Sequence, residues 1–384
     1  MHFEFATAGR IIFGQGKVGE VGLLAVQMGK HALVITGSHV ERAAGLIQVL
    51  EDKGMRVTTF QVRGEPDTRI VAEGSRLARL RRCDVVIGMG GGSVIDAGKA
   101  IAALVTNHGD IFDFLEVVGK AQTITRPPLP YIAIPTTAGT GAEVTKNAVL
   151  VSKEHGVKVS MRSYMLLPRI VVVDPELTYS MPPHVTANTG LDALTQLIEA
   201  YVSLNANPIT DGMCREGIMR SARSLEIAYR DGNNAAARED MAIASLLSGM
   251  ALANAKLGAV HGFAAPLGGM FNAPHGAICA RLLPIVMETN VQALKTREIG
   301  SRALKRYDEI AQMITGDGKA KAEKGVEWVR DLCKRLDVEP LSGLGLSRSD
   351  IPEIVERAKR ASSMKGNPVE LTDKELTGIL ERAL

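Results

Sequence analysis

The sequence predicts an α/β unit built on a parallel sheet over residues 1–180, followed by an all-helical unit over residues 181–384. Up to about Pro175, short β-branched apolar runs alternate with helical segments, the pattern of a doubly wound parallel sheet. Beyond Met181 the apolar residues recur at helical spacing, and no further strand-like run follows. Between the two lies Met181-Pro182-Pro183, a hinge, since proline extends neither a strand nor a helix. A chain of 384 residues suits this division, because domains average roughly 100–200 residues.

In chain order, residues 3–6 and 10–14 read as a small hairpin. HALVITG (31–37) is the first buried strand and AGLIQVLEDKG (44–54) the helix after it. RVTTFQV (56–62) and the helix over 69–82 repeat the unit. CDVVIGMGGGS (83–93) is a strand ending in glycines, and VIDAGKAIAALVT (94–106) continues as a helix. YIAIPTTAG (131–139) and RIVVVDP (169–175) complete the sheet. In the second half, Leu191, Leu194, Ile198 and Tyr201 mark one face of a helix, and several helical segments follow it.

Composition narrows the function classes. Forty-five Lys and Arg against 42 Asp and Glu leave no field strong enough for a nucleic-acid partner. No apolar stretch approaches the ~18 residues of a membrane span. MHFEFATAGR lacks the basic and apolar regions of a signal peptide. Cys83, Cys214, Cys279 and Cys333 are scattered without a CxxC pair and read as reduced thiols. The expectation is a cytoplasmic protein.

Two loops and one polar constellation carry chemistry. Gly90, Gly91, Gly92 and Ser93 stand where a strand turns into a helix, so backbone can approach a pyrophosphate and free N–H groups face it. Asp96 lies one turn into that helix, where a carboxylate either complements the dipole or reaches a ligand. In PTTAGTGAEVT, Thr136, Thr137 and Thr140 offer hydroxyls either to a nucleotide or to the next helix start. Two such loops on one sheet edge favour a dinucleotide. In the second half, Asp192 and Gln196 stand at i and i+4, and His261 and His275 each precede a glycine. A carboxylate with two imidazoles suits Zn2+ or Fe2+, and an open position would polarise an alcohol or carbonyl oxygen. The other histidines (His2, His31, His39, His108, His155, His184) show no ligand spacing. A cleft between the two halves is the default site.

GGGSVIDAGKA, PTTAGTGAEVT, GLDALTQLIEAYVS and HGFAAPLGGMFNAPHG, in this order and over nearly the whole chain, resemble the iron-dependent alcohol dehydrogenase family. The resemblance implies a Rossmann-like domain followed by a helical metal-site domain, an architecture shared with dehydroquinate synthase. It implies an NAD(P)-dependent oxidoreductase that interconverts small alcohols and carbonyls. Carried over, Gly91, Gly92 and Ser93 hold the pyrophosphate, and Asp96 lies near the nicotinamide. Thr136, Thr137 and Thr140 line the nucleotide, and Lys158 reaches its ribose. Asp192, His261 and His275 match three metal ligands, with Asp96, His261 and His275 also placed to act catalytically.

Three departures stand out. The fourth ligand position, usually histidine, is Gln196, whose neutral amide oxygen is a weaker donor. Ala265 replaces a histidine the family often places near nicotinamide and substrate, which leaves the proton donor unassigned. Gly37-Ser38, with His39 and Arg42 beyond, replaces an aspartate that commonly binds the adenosine ribose, which tilts the cofactor from NAD towards NADP. The expected ion is Fe2+ or Zn2+, the alternative a metal-independent enzyme resembling maleylacetate reductase. A sugar-phosphate cyclase or a non-catalytic cofactor-binding protein ranks lower. A cyclase would need basic residues that FAAPLGGMFNAP does not supply. Apolar Leu257, Phe263, Leu267, Met270 and Phe271 suit a small aliphatic or aromatic aldehyde. The resemblance also implies a homodimer, through the N-terminal strands, or a higher assembly.

Overall fold

The computed structural model of the chain describes residues 2–271 and 273–384. It divides into two compact units. One comprises Ala6–Thr137 and Gly141–Thr178; the other comprises Tyr179–Leu384 with Ala138–Thr140 and the N-terminal residues.

The first unit is an α/β layer structure around one sheet. Its strands are β1 (Ile11–Phe13), β2 (His31–Thr36), β3 (Arg56–Gln61), β4 (Val85–Gly90), β5 (Tyr131–Pro135) and β8 (Ile170–Val173). They run in the order β1-β8-β5-β4-β2-β3, and every pairing is parallel. Strands β2, β4, β5 and β8 are buried along their whole length, which is why each reads as an unbroken apolar run. Helices α1 (Val21–Ala25), α2 (Ala44–Glu51), α3 (Thr68–Arg81) and α4 (Gly92–Thr106) connect the strands. The Asp67 side chain caps α3 by accepting from the Ile70 amide at 2.7 Å. From β2 the chain leaves to one side towards β3, while β4, β5 and β8 follow on the other. The carboxyl ends of β2 and β4 therefore flank a topological switch point.

Two features depart from the expected elements. Residues 3–6 form no strand, so there is no N-terminal hairpin. Ile11–Phe13 instead pairs in parallel with Val171–Val173, because the apolar edge of β8 buries more surface than a two-stranded ribbon could. A second, two-stranded sheet was not expected: β6 (Asn147–Ser152) pairs antiparallel with β7 (Val157–Arg162). Its signal is a period of two, with Ala148, Leu150 and Ser152 buried between half-exposed neighbours. The connecting turn passes through Gly156 at φ 61°, a conformation that favours glycine.

The second unit is helical: α5 (Pro183–Val202), α6 (Pro208–Arg230), α7 (Ala235–Ala255), α8 (Ala259–Met270), α9 (His275–Arg297), α10 (Arg302–Thr315), α11 (Ala322–Arg335), α12 (Ile351–Arg360) and α13 (Asp373–Ala383). Helix α5 starts on Pro183, whose missing N–H costs nothing there, and packs against α6, α7 and α9. Leu191, Leu194, Leu197, Ile198 and Tyr201 on it are fully buried, each side chain contributing about 1.5–3 kcal/mol. Because α5 is buried almost all round, its polar residues can survive only with partners. No single helix among the described residues is long and apolar enough to cross a membrane.

Candidate active site

In the α/β unit, residues from three neighbouring strands meet at the carboxyl edge of the sheet. The pairing of Thr36 with Met89 sets Gly37 beside Gly90, and Gly90 pairs in turn with Pro135. The Thr136 amide donates to the Gly90 carbonyl at 2.9 Å. A methyl group on Gly91 would stand 3.4 Å from the Thr137 side chain. Gly37, Gly91, Thr136 and Thr137 thus line one ledge. Helix α4 opens on it with Gly91 as an N-cap that has no side chain, so the first amides, Gly92 and Ser93, are presented to an anion. Ser38 and Arg42 are exposed just beyond β2, and His39 pairs with Glu41 at 2.9 Å.

The remaining cofactor candidates are placed differently. Both Asp96 oxygens are engaged inside the α/β unit: one accepts from Lys99 Nζ at 3.2 Å, the other from the Val149 amide at 3.0 Å. Lys99 is itself buried and also donates to Thr145 Oγ1 and the Asn147 carbonyl. Asp96 therefore ties α4 to the β6–β7 hairpin. Lys158, on β7, has its Nζ 3.0 Å from Glu65 Oε1. Thr140 belongs to the helical unit, Thr136 and Thr137 to the α/β unit.

In the helical unit, three helices bring one polar cluster together. Asp192 is on α5, His261 in the first turn of α8, and His275 opens α9. Asp192 Oδ1 lies 3.4 Å from His261 Nε2 and 3.7 Å from His275 Nε2, and it accepts no hydrogen bond although fully buried. Cys279, one turn after His275, puts its sulfur 3.8 Å from His261 Nε2 and 3.7 Å from His275 Nε2. One donor atom from each of these four residues lies within 4.8 Å of the others. Donors held about 2.0–2.3 Å from a tetrahedral ion would stand about 3.3–3.6 Å apart.

Glu199 orients this cluster. It stands two turns beyond Asp192 on α5 and accepts from the Val260 amide at 2.7 Å through Oε1. Its Oε2 lies 2.6 Å from His261 Nδ1, so the carboxylate accepts a hydrogen bond from Nδ1–H and the Nε2 lone pair is turned to Asp192. Gly258 makes room, since a methyl there would meet both Glu199 Oε1 and Asn367 Oδ1 at 2.9 Å. Burial disfavours a charged imidazolium, yet the Cys279 sulfur and the Asp192 and Glu199 carboxylates around it outweigh this and hold the His261 pKa well above its ordinary value, so that a proton competes with a cation for Nε2. This pocket attracts positive charge.

Residues 8–175 match the family described as iron-containing alcohol dehydrogenase, and residues 186–384 match the C-terminal part of the Fe-containing alcohol dehydrogenase family. The chain belongs to the iron-containing alcohol dehydrogenase family. It is an oxidoreductase acting on CH–OH groups. Alcohol dehydrogenase 4 of Saccharomyces cerevisiae (strain YJM789) is 35% identical over 377 residues, 97% of this chain and 96% of its own length. Among solved structures, a 1,3-propanediol oxidoreductase superposes with a TM-score of 0.92 at 34% identity, each chain covered in full. The sulfoacetaldehyde reductase of Bifidobacterium kashiwanohense, solved with NAD+, gives a TM-score of 0.87 at 31% identity over 99% of this chain and 98% of its own.

Gln196, the expected fourth ligand position, turns its amide nitrogen towards Asp192. Its Nε2 donates to Asp192 Oδ2 at 3.2 Å, and its Oε1 accepts from Ser248 Oγ at 2.9 Å. A carboxylate only accepts, so the amide group must be presented to it this way round. Ala265 lies one turn beyond His261 on α8 and is exposed. Glu199 and Cys279 were not singled out from the sequence. Their signals were there: Glu199 at i+7 from Asp192, and Cys279 at i+4 from His275.

Proposed function

We propose that this dehydrogenase transfers a hydride between a nicotinamide dinucleotide and a small alcohol or carbonyl compound, assisted by a divalent ion. The observation that carries the reading is the unpartnered, buried Asp192 Oδ1 facing two imidazole Nε2 atoms, one of them oriented by Glu199. Asp192, His261 and His275 would hold the ion. Gly37, Ser38, Gly91, Gly92, Ser93, Thr136 and Thr137 would hold the dinucleotide, with Lys158 towards its ribose. When bound, the dinucleotide supplies or accepts the hydride and the ion polarises the substrate oxygen.

The chain's own residues do the rest. The Gly92 and Ser93 amides bind the pyrophosphate at the N-terminus of α4. Asp96 acts by positioning: through Lys99 and Val149 it fixes the hairpin that carries Lys158. Glu199 keeps the proton on His261 Nδ1 and so leaves Nε2 free to act as a donor. With Ala265 in place of histidine, His275 is the ionisable side chain of the set that stays partly open to solvent. We assign the protein to the cytoplasm as a homo-oligomer, most simply a dimer.

The cofactor reading favours NADP, because no carboxylate follows Gly37-Ser38 and Arg42 stands nearby. Steady-state reduction of a panel of small aliphatic and aromatic aldehydes with NADPH and NADH tests it. The expected result is turnover with both and a higher kcat/KM with NADPH. Arg42→Ala should lower the NADPH value about tenfold to a hundredfold, the worth of a charge-assisted hydrogen bond, and leave NADH unchanged. Oxidation of neither cofactor with any aldehyde would sink the proposal.

A further inference from the structure

We infer that Cys279, rather than Gln196, supplies the fourth protein donor of the metal centre, and that its thiolate shifts the centre towards Zn2+ over Fe2+. This rests on the reading that Asp192, His261 and His275 hold a divalent ion.

Four observations converge. First, Cys279 and His275 stand at i and i+4 on α9, so both point from one helix face at Asp192. Second, the sulfur is fully buried and stands 3.7–3.8 Å from both Nε2 atoms, close to the donor spacing of a tetrahedral site. A buried cysteine serving only as a small apolar filler has no reason to face two imidazoles and a carboxylate. Third, the buried Asp192 Oδ1 accepts no hydrogen bond and faces the same point. Fourth, Gln196 turns its amide nitrogen, not its oxygen, towards Asp192 and places the oxygen on Ser248.

The chemistry is consistent with this placement. When the metal–sulfur bond forms, the Cys279 S–H bond breaks and its proton leaves to solvent. Thiolate is the softer donor and favours zinc. Cys83, Cys214 and Cys333 lie outside this cluster and serve as internal controls.

The test uses the full chain, stripped of metal by a chelator and reloaded with Co2+. A cysteine thiolate bound to cobalt gives a near-ultraviolet charge-transfer band that nitrogen and oxygen donors do not. The wild type should take up one cobalt per chain and show the band. Cys279→Ser should take up cobalt with ligand-field bands only, bind zinc about tenfold or more weakly, and lose much of its zinc-over-iron preference. Gln196→Ala should keep the thiolate band. A wild-type protein that binds cobalt without the band, or a C279S protein that retains it, overturns the inference and leaves the metal centre standing. Failure to bind cobalt at all overturns both. If C279S does not fold, as judged by circular dichroism, the wild-type spectrum alone decides.

Discussion

Asp192→Ala should abolish stoichiometric metal uptake and lower kcat/KM for aldehyde reduction by about a thousandfold or more. The size follows from what a Lewis acid supplies, several kcal/mol of charge stabilisation, when each 1.4 kcal/mol is tenfold in rate. Asp192 is the residue on which the cluster converges: Oδ1 faces both imidazoles, and Oδ2 accepts from Gln196. Its loss removes the carboxylate that both imidazoles face. Elemental analysis and steady-state kinetics on the same preparation check the prediction. A variant that keeps a tenth of the wild-type activity without metal would mean that catalysis does not depend on this centre.

Glu199→Leu should have the next largest effect, and on two independent readouts. One carboxylate serves two donors, the Val260 amide and His261 Nδ1. Leucine fills similar volume and accepts from neither. Leaving a buried amide unsatisfied costs about 1–3 kcal/mol, which a urea denaturation of metal-free protein will read as a lower midpoint. Freeing the imidazole to rotate or change tautomer should weaken metal binding about tenfold to a hundredfold. Glu199→Gln keeps an oxygen for one of the two donors and should fall between. If metal affinity is unchanged in Glu199→Leu, the carboxylate caps α8 and nothing more.

What was legible in the sequence follows the reach of each signal. The parallel sheet was readable because β2, β4, β5 and β8 are buried on both faces, so burial writes itself as continuous Val, Ile and Ala. The β6–β7 hairpin was not, because its alternation includes Ser152 and Lys158 and its turn, Lys153 to Gly156, is polar rather than a plain two-residue hairpin signal. Residues 3–6 and 10–14 looked like a hairpin because local pattern cannot show that β8, about 160 residues on, offers β1 a better edge. At the site, Asp192, His261 and His275 were found as residue types suited to a metal. Their neighbours were harder. Glu199 reads from sequence as one more polar residue in an amphipathic helix, and only the approach of α8 over Gly258 shows what it serves. Cys279 sits in an apolar run where a thiol is indistinguishable from a small hydrophobe until α5 and α9 are packed. Gln196 was noticed as an anomaly, but which end of its amide faces Asp192 is a property of the packed structure.

A single titration puts the metal reading at risk. Wild-type protein is stripped stepwise with a chelator, and zinc, iron and NADPH-dependent aldehyde reduction are measured on each fraction. Activity should fall in proportion to bound metal, vanish at zero occupancy, and return when Zn2+ or Fe2+ is restored. Undiminished turnover by metal-free protein would contradict a metal centre at Asp192, His261 and His275.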